Sequence, residues 1–239
     1  MKKFSSSQWL LAATILAWGA TAKAAPIYEY SIDSPISGNS AAGTIESITT
    51  RYDAGLQQLS WQHEIADKNG NASNAFWLVL SAGPNPKNHR GEYAIFYGDT
   101  ASNSLTAYEY SGYNNGNSYD NPGNYLDTFG LDYSHSGGVG TFSFNINVAA
   151  LNDPANNGSV SAPDWQGAQF GEQIGIWFHP LLGASLGFDN NDIITSFNQG
   201  TSGWHDTSYQ DTYEVPEPSS LALIGLGLAM IGLRTRRKQ

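Results

Sequence analysis

From Thr141 to Val148 the chain alternates without a break. Phe142, Phe144, Ile146 and Val148 are apolar, while Thr141, Ser143, Asn145 and Asn147 are polar. A strict period of two predicts a half-buried β-strand. Gln58 to Ile65 repeats the pattern, with Leu59, Trp61, His63 and Ile65 on one face and Gln58, Ser60, Gln62 and Glu64 on the other. Largely apolar runs at Phe76–Leu80, Ala94–Tyr97 and Ile174–Phe178 predict central strands covered on both faces. Further strands are expected over Pro26–Ile32, Gly43–Tyr52, Leu105–Tyr110 and Ile193–Phe197.

Turn formers separate these runs. Examples are Asp67-Lys68-Asn69-Gly70, Gly83-Pro84-Asn85-Pro86, Asn114-Asn115-Gly116, Ser136-Gly137-Gly138 and Asn156-Asn157-Gly158. No stretch between Ala25 and Glu214 sustains a helical period beyond two or three turns. Many strands between Gly/Asn turns imply an all-β domain over residues 25–214, a two-sheet β-sandwich of jelly-roll or lectin-like type. Ser111 to Asn124 is the longest irregular stretch, rich in Tyr, Asn and Gly.

The ends read differently. Lys2 and Lys3 precede an apolar run from Trp9 to Ala20, and Ala22-Lys23-Ala24 then offers small residues at the two positions a signal peptidase reads. Residues 1–24 are expected to be a secretory signal peptide cut between Ala24 and Ala25. At the other end come Val215-Pro216-Glu217-Pro218, an apolar run from Leu221 to Leu233, and the basic Arg234, Arg236, Arg237 and Lys238. The prolines keep the chain extended and block helix, which leaves it open to a processing enzyme. The apolar run is short for a span of about 20 residues, so arginines that snorkel help a transmembrane helix fit. The basic end stays cytoplasmic by the positive-inside rule.

This ending, residues 215–239, resembles the PEP-CTERM sorting signal of Gram-negative bacteria, in which a Pro-Glu-Pro triplet, a short hydrophobic helix and a basic end follow in that order. The resemblance implies an inner-membrane-anchored precursor, held by its C-terminal helix and cut near Pro216-Glu217-Pro218 by an exosortase. The product then goes to the cell surface or extracellular matrix, where such proteins accompany exopolysaccharide and biofilm. Segments of the middle are similar to those of other PEP-CTERM surface proteins: Phe76-Trp77-Leu78-Val79-Leu80-Ser81, Tyr93-Ala94-Ile95-Phe96-Tyr97-Gly98-Asp99, Ile176-Trp177-Phe178-His179-Pro180 and Gly203-Trp204-His205-Asp206-Thr207. That resemblance brings no catalytic residue with it.

Composition narrows the chemistry. The absence of cysteine removes disulfides, thiolate catalysis and cysteine metal sites. The formal net charge is −10, but seven of the 11 basic residues lie in the two terminal segments. Four remain in the middle against 20 acidic residues, a net of −16, which repels nucleic acid and anionic surfaces.

Several constellations invite a chemical reading. Gly183-Ala184-Ser185-Leu186-Gly187 spells a nucleophile elbow, but a turn follows where the elbow needs a helix, so Ser185 is not expected to be catalytic. No pair among His63, His89, His135, His179 and His205 has metal-ligand spacing, and His205 is the most site-like of them. Asp189-Asn190-Asn191-Asp192 supplies oxygen atoms in a tight turn: it reads as an Asx-stabilised turn with no cofactor, and otherwise as a calcium site with Asp189 and Asp192 as ligands. Tyr108, Tyr110, Tyr113, Tyr119 and Tyr125 stand among Asn, Asp and Ser, and are read as exposed rings that pack on sugars, the alternative being that they fill a sandwich core and decorate its turns.

The reading is a secreted, non-catalytic surface or matrix component that contacts exopolysaccharide, with signal peptidase and exosortase as processing partners. Two alternatives stay open: an extracellular polysaccharide hydrolase, which needs two carboxylates across a cleft, and a structural adhesion module.

Overall fold

The computed structural model describes residues 25–33, 36, 38–87, 93–112, 123–153 and 166–215. Pro26–Val215 form one compact unit of two large open antiparallel sheets and a separate two-stranded one. The signal positions Ala22 and Ala24, and the sorting residues Pro216, Glu217, Pro218, Arg234, Arg236 and Arg237, lie outside the described residues.

The chain lays down β1 (Ile27–Asp33), β2 (Thr44–Asp53) and β3 (Gln58–Ala66) as a meander. It crosses to a second sheet for β4 (Ala75–Ser81), β5 (Ala94–Asp99), β6 (Ser104–Glu109) and β7 (Tyr125–Gly130). It returns through β8 (Asp132–Ser136) and β9 (Val139–Asn147), which pairs with β3, and then makes one turn of helix, α1 (Val148–Leu151). Asn147 caps α1 by accepting from Ala150 N, so Val148, expected to end the strand, instead starts the helix. β10 (Gln173–Leu182) rejoins the second sheet on the far side of β4. A hairpin of β11 (Ser185–Phe188) and β12 (Ile194–Asn198) follows. β13 (Thr201–Ser202) and β14 (His205–Asp211) then pair with β10, and β15 (Tyr213–Val215) with β1.

All nine strands expected from periodicity are present, with ends shifted by a few residues. β4 and β5 are buried along their whole length, as their unbroken apolar runs require. β3 alternates as read: Leu59, Trp61, His63 and Ile65 are each at most 1% exposed.

Aromatic rings join the two sheets. Trp61 of β3 lies 5.8 Å from Phe178 of β10, and Phe96 of β5 lies 5.8 Å from Phe144 of β9. His63 sits in the middle of this layer, stacked on Phe142 at 4.6 Å and edge-on to Phe76 at 5.0 Å. Trp61 Nε1 donates to His63 Nδ1 at 3.0 Å. Full burial among apolar rings holds the imidazole neutral, with its pKa lowered to about 3.

The second sheet is also covered on its outer face. Tyr97, Tyr108, Trp77 and Trp177 form a second core there, against Leu186, Ile193, Ile194 and Phe197 of the β11–β12 hairpin. Tyr97 meets Phe197 at 5.5 Å.

Candidate functional site

The outer face of β10 carries a chain of rings. Trp77 stacks on His179 at 3.8 Å, and Trp177 stands edge-on to Trp77 at 4.6 Å. Strand parity puts these side chains together: Trp77 and His179 are directly paired across β4 and β10, and Trp177 follows two places along on the same face. Trp177 is paired in turn with Asp206 of β14.

Lys87, at the end of the Gly83–Pro86 turn, closes over this face. Its ammonium lies 2.5 Å from Asp206 Oδ2, 5.9 Å from the Trp177 ring centre and 5.5 Å from that of Trp204. Tyr110 fixes the same turn by donating its hydroxyl to Lys87 O at 2.7 Å. Tyr93 donates to Gly83 O beside it. The ammonium is therefore held between two indole faces and a carboxylate, an arrangement that combines cation–π and charge-assisted bonding.

Trp204 is 42% exposed, while its backbone is clamped. Its N–H donates to Asn39 O, and its carbonyl accepts from Asn39 N, both at 3.0 Å. Glycines make the approach feasible: a Cβ on Gly203 would stand 2.6 Å from Asn39 O, and one on Gly38 would stand 2.1 Å from Trp204 O. Gly203 N also donates to Pro180 O at 3.0 Å.

His179 supports the ring chain as a half-buried residue. Ser202 Oγ donates to Gly203 O at 2.8 Å, so it accepts from His179 Nδ1, also at 2.8 Å. Burial, with a smaller contribution from the Lys87 charge, lowers the His179 pKa to about 3. Among the described residues, the buried His179 Nε2 and Asp206 Oδ1 have no hydrogen-bond partner.

The structure corrects the expectation of exposed tyrosines. Tyr108 is 4% exposed and Tyr110 2%. Tyr108 lies on β6 beneath the β11–β12 hairpin, and its hydroxyl accepts from Ile194 N at 2.8 Å. Burial pushes its pKa up to about 12. Both rings are core, so neither is free to stack on a sugar. Tyr125 is half-buried, 5.7 Å from Tyr108, and donates to Thr128 Oγ1 at 3.1 Å. Tyr113 and Tyr119 lie outside the described residues.

Other candidates find plain structural places. Ser185 opens β11, so a strand stands where an elbow needs a helix. His205 is buried on the inward face of β14, with Thr207 Oγ1 2.9 Å from its Nε2. His135 pairs with Asp67 at 2.9 Å, and His89 lies outside the described residues. Asp189 Oδ1 accepts from Asn191 N at 2.8 Å and Ile193 N at 3.0 Å, an Asx turn in which Asp192 takes a φ of 60°. Among the described residues no group of three or more His, Asp or Glu side chains is placed to hold a metal ion.

A second surface feature lies at the start of β10, on the same β14 edge. Tyr28, Glu172, Gln173, Asp211, Thr212 and Glu214 line an open cleft between the edges of the two sheets. Gln173 Nε2 donates to Asp211 Oδ1 there at 3.0 Å. Glu172, Asp211 and Glu214 are all exposed.

Sequence reasoning drew attention to His205 and passed over its neighbours. Trp204, Asp206 and Lys87 form the exposed part of the site. The available signal was a tryptophan between glycine and polar residues in a turn, where no apolar run explains it.

The fold and its surface thus describe an all-β domain joined at Val215 to a separate terminal segment. Residues 214–238 match the PEP-CTERM protein-sorting motif. The chain is therefore a secreted, membrane-anchored precursor processed by an exosortase, a sorted surface protein. No curated protein matches it. Among the described residues no helix is long and apolar enough to cross a membrane, and the helix expected over residues 221–233 lies outside them.

Proposed function

We propose that the sorted domain is a non-catalytic component of the cell surface or extracellular matrix of a Gram-negative bacterium, where it contacts exopolysaccharide. The sorting motif, which begins within β15, carries this reading, because exosortase sorting directs the folded domain to the cell surface. The clamped, exposed Trp204 supports it, since an indole face beside hydrogen-bonding charges suits the C–H and hydroxyl surfaces of a sugar.

The test is co-sedimentation of the purified mature protein with the producing strain's exopolysaccharide, with released reducing ends measured in the same tubes. Sedimentation without new ends is expected. Free protein in the supernatant would overturn the contact.

A hydrolase is the second reading, favoured by the three carboxylates of the Glu172–Asp211–Glu214 cleft. It ranks below the first because all three are exposed, and a general acid needs its proton held by burial or by a close second carboxylate. New reducing ends that vanish in Glu172→Gln would promote it.

A further inference from the structure

We infer that Trp204, with the Lys87–Asp206 pair over one face of its indole, is a subsite for one uncharged sugar ring of a neutral polysaccharide. This deepens the polysaccharide reading above and rests on it.

Three observations fix the ligand class. The first is rigidity: two backbone bonds to Asn39 and the Lys87 ammonium hold Trp204 in place while 42% of the residue faces solvent. A platform already ordered loses little freedom on binding. The second is size. The large apolar side chains exposed among the described residues are Leu56, Trp204 and Tyr213, on three separate elements. Leu56 lies in the β2–β3 turn and Tyr213 on β15, both of the first sheet, whereas Trp204 stands between β13 and β14 of the second, so among the described residues no second large exposed apolar side chain shares its element. A protein partner generally wants a contiguous patch of several hundred Å². A single indole beside polar groups matches one pyranose.

The third is charge. Lys87 lies 2.5 Å from Asp206, so the cation is already neutralised. The middle of the chain carries a net charge of −16, which opposes the approach of a polyanion. The pair can still donate from the ammonium and accept at the carboxylate, as hydroxyl recognition requires. A neutral hexose polymer is the ligand this combination accepts. The many equivalent rings of a polymer compensate for weak single-site binding through avidity.

The test is affinity electrophoresis of the mature protein through gels containing dextran, mannan, alginate or the producing strain's own exopolysaccharide. Wild type, Trp204→Ala, Trp204→Phe and Leu56→Ala are run side by side, with thermal melts to confirm folding. The expected result is retardation by a neutral polymer, weakened at least about tenfold in Trp204→Ala, partly restored in Trp204→Phe and unchanged in Leu56→Ala. Equal retardation of wild type and a folded Trp204→Ala would overturn the subsite and leave the polysaccharide reading standing. Retardation by alginate in preference to the neutral polymers would overturn the ligand class. No retardation by any polymer, the native one included, would overturn both the subsite and the reading beneath it.

Discussion

Ile27 and Val215 are cross-strand partners. Ile27 opens the first strand of the domain, and Val215 closes the last strand before the Pro-Glu-Pro triplet. Their pairing is antiparallel, with Tyr28 opposite Glu214 and Glu29 opposite Tyr213. A bond from Tyr213 Oη to Glu29 Oε1 at 2.6 Å crosses the same ladder. The folded domain therefore begins and ends side by side on one sheet edge.

Adjacency of the ends makes the domain a candidate for circular permutation. Paired Cα atoms in an antiparallel ladder stand about 5 Å apart, so a short Gly/Ser linker can join Val215 to Pro26. New ends belong in the exposed β8–β9 turn at Gly137, whose φ of 60° marks a tight reversal. The permutant is expected to fold with a melting temperature within a few degrees of the parent. Circular dichroism and a thermal melt check this, and an unfolded permutant would show that chain order matters in ways the pairing does not explain.

Acid should unfold the domain through its histidines. His63 and His179 have folded pKa values of about 3, below the ordinary 6.5 of an unfolded chain. The unfolded state thus binds more protons between those values. The stability present above pH 6.5 falls as pH drops towards 3, by about 1.4 kcal/mol per pH unit for each group. Urea melts from pH 7 to pH 4 should show this slope. His63→Gln keeps an acceptor for Trp61 and does not titrate, so its slope should be shallower by about one histidine. An unchanged slope would mean that His63 is not a source of acid sensitivity.

The aromatic layer between the sheets should dominate stability. Phe142 is fully buried and touches His63, Phe76 and Tyr133, so Phe142→Ala is expected to cost about 3–5 kcal/mol. Leu56→Ala, at a residue 66% exposed, is expected to change stability by less than about 0.5 kcal/mol. Chemical denaturation of both variants makes the comparison.

We propose that the Asp189 turn closes on its own backbone rather than around calcium, because Asp189 Oδ1 already accepts from two amides. The melting temperature is expected to be the same in calcium and in EDTA. Asp189→Ala should lower stability by about 1 kcal/mol in either buffer. A rise of several degrees with calcium, lost in Asp189→Ala, would restore the metal site.

Three of the strands missed in the sequence have a plain physical reason. β8 carries Tyr133 as its single large apolar residue, because it is an exposed edge strand with little to bury. β15 has three residues and is held mainly by its partner, β1. β11 pairs only with β12, and its Ser185-Leu186-Gly187-Phe188 is too short to show a period. Where a strand buries one face along its length, as β3 and β9 do, the alternation is plain in the sequence.

By itself the sequence determined the C-terminal sorting segment, the all-β class and the inward rings of the central strands. Those features are local: a sorting motif and a period of two are written in neighbouring residues. Tertiary structure alone decided which outward rings stay exposed. Tyr108 and Tyr110 sit in polar surroundings along the chain, yet elements distant in sequence cover them: the β11–β12 hairpin over Tyr108, and the Lys87 turn against Tyr110. Trp204 remains open although Asn39 and Lys87 grip it from elsewhere in the chain. Solvent exposure is a property of what packs above a side chain, and those packing partners lie far away in sequence.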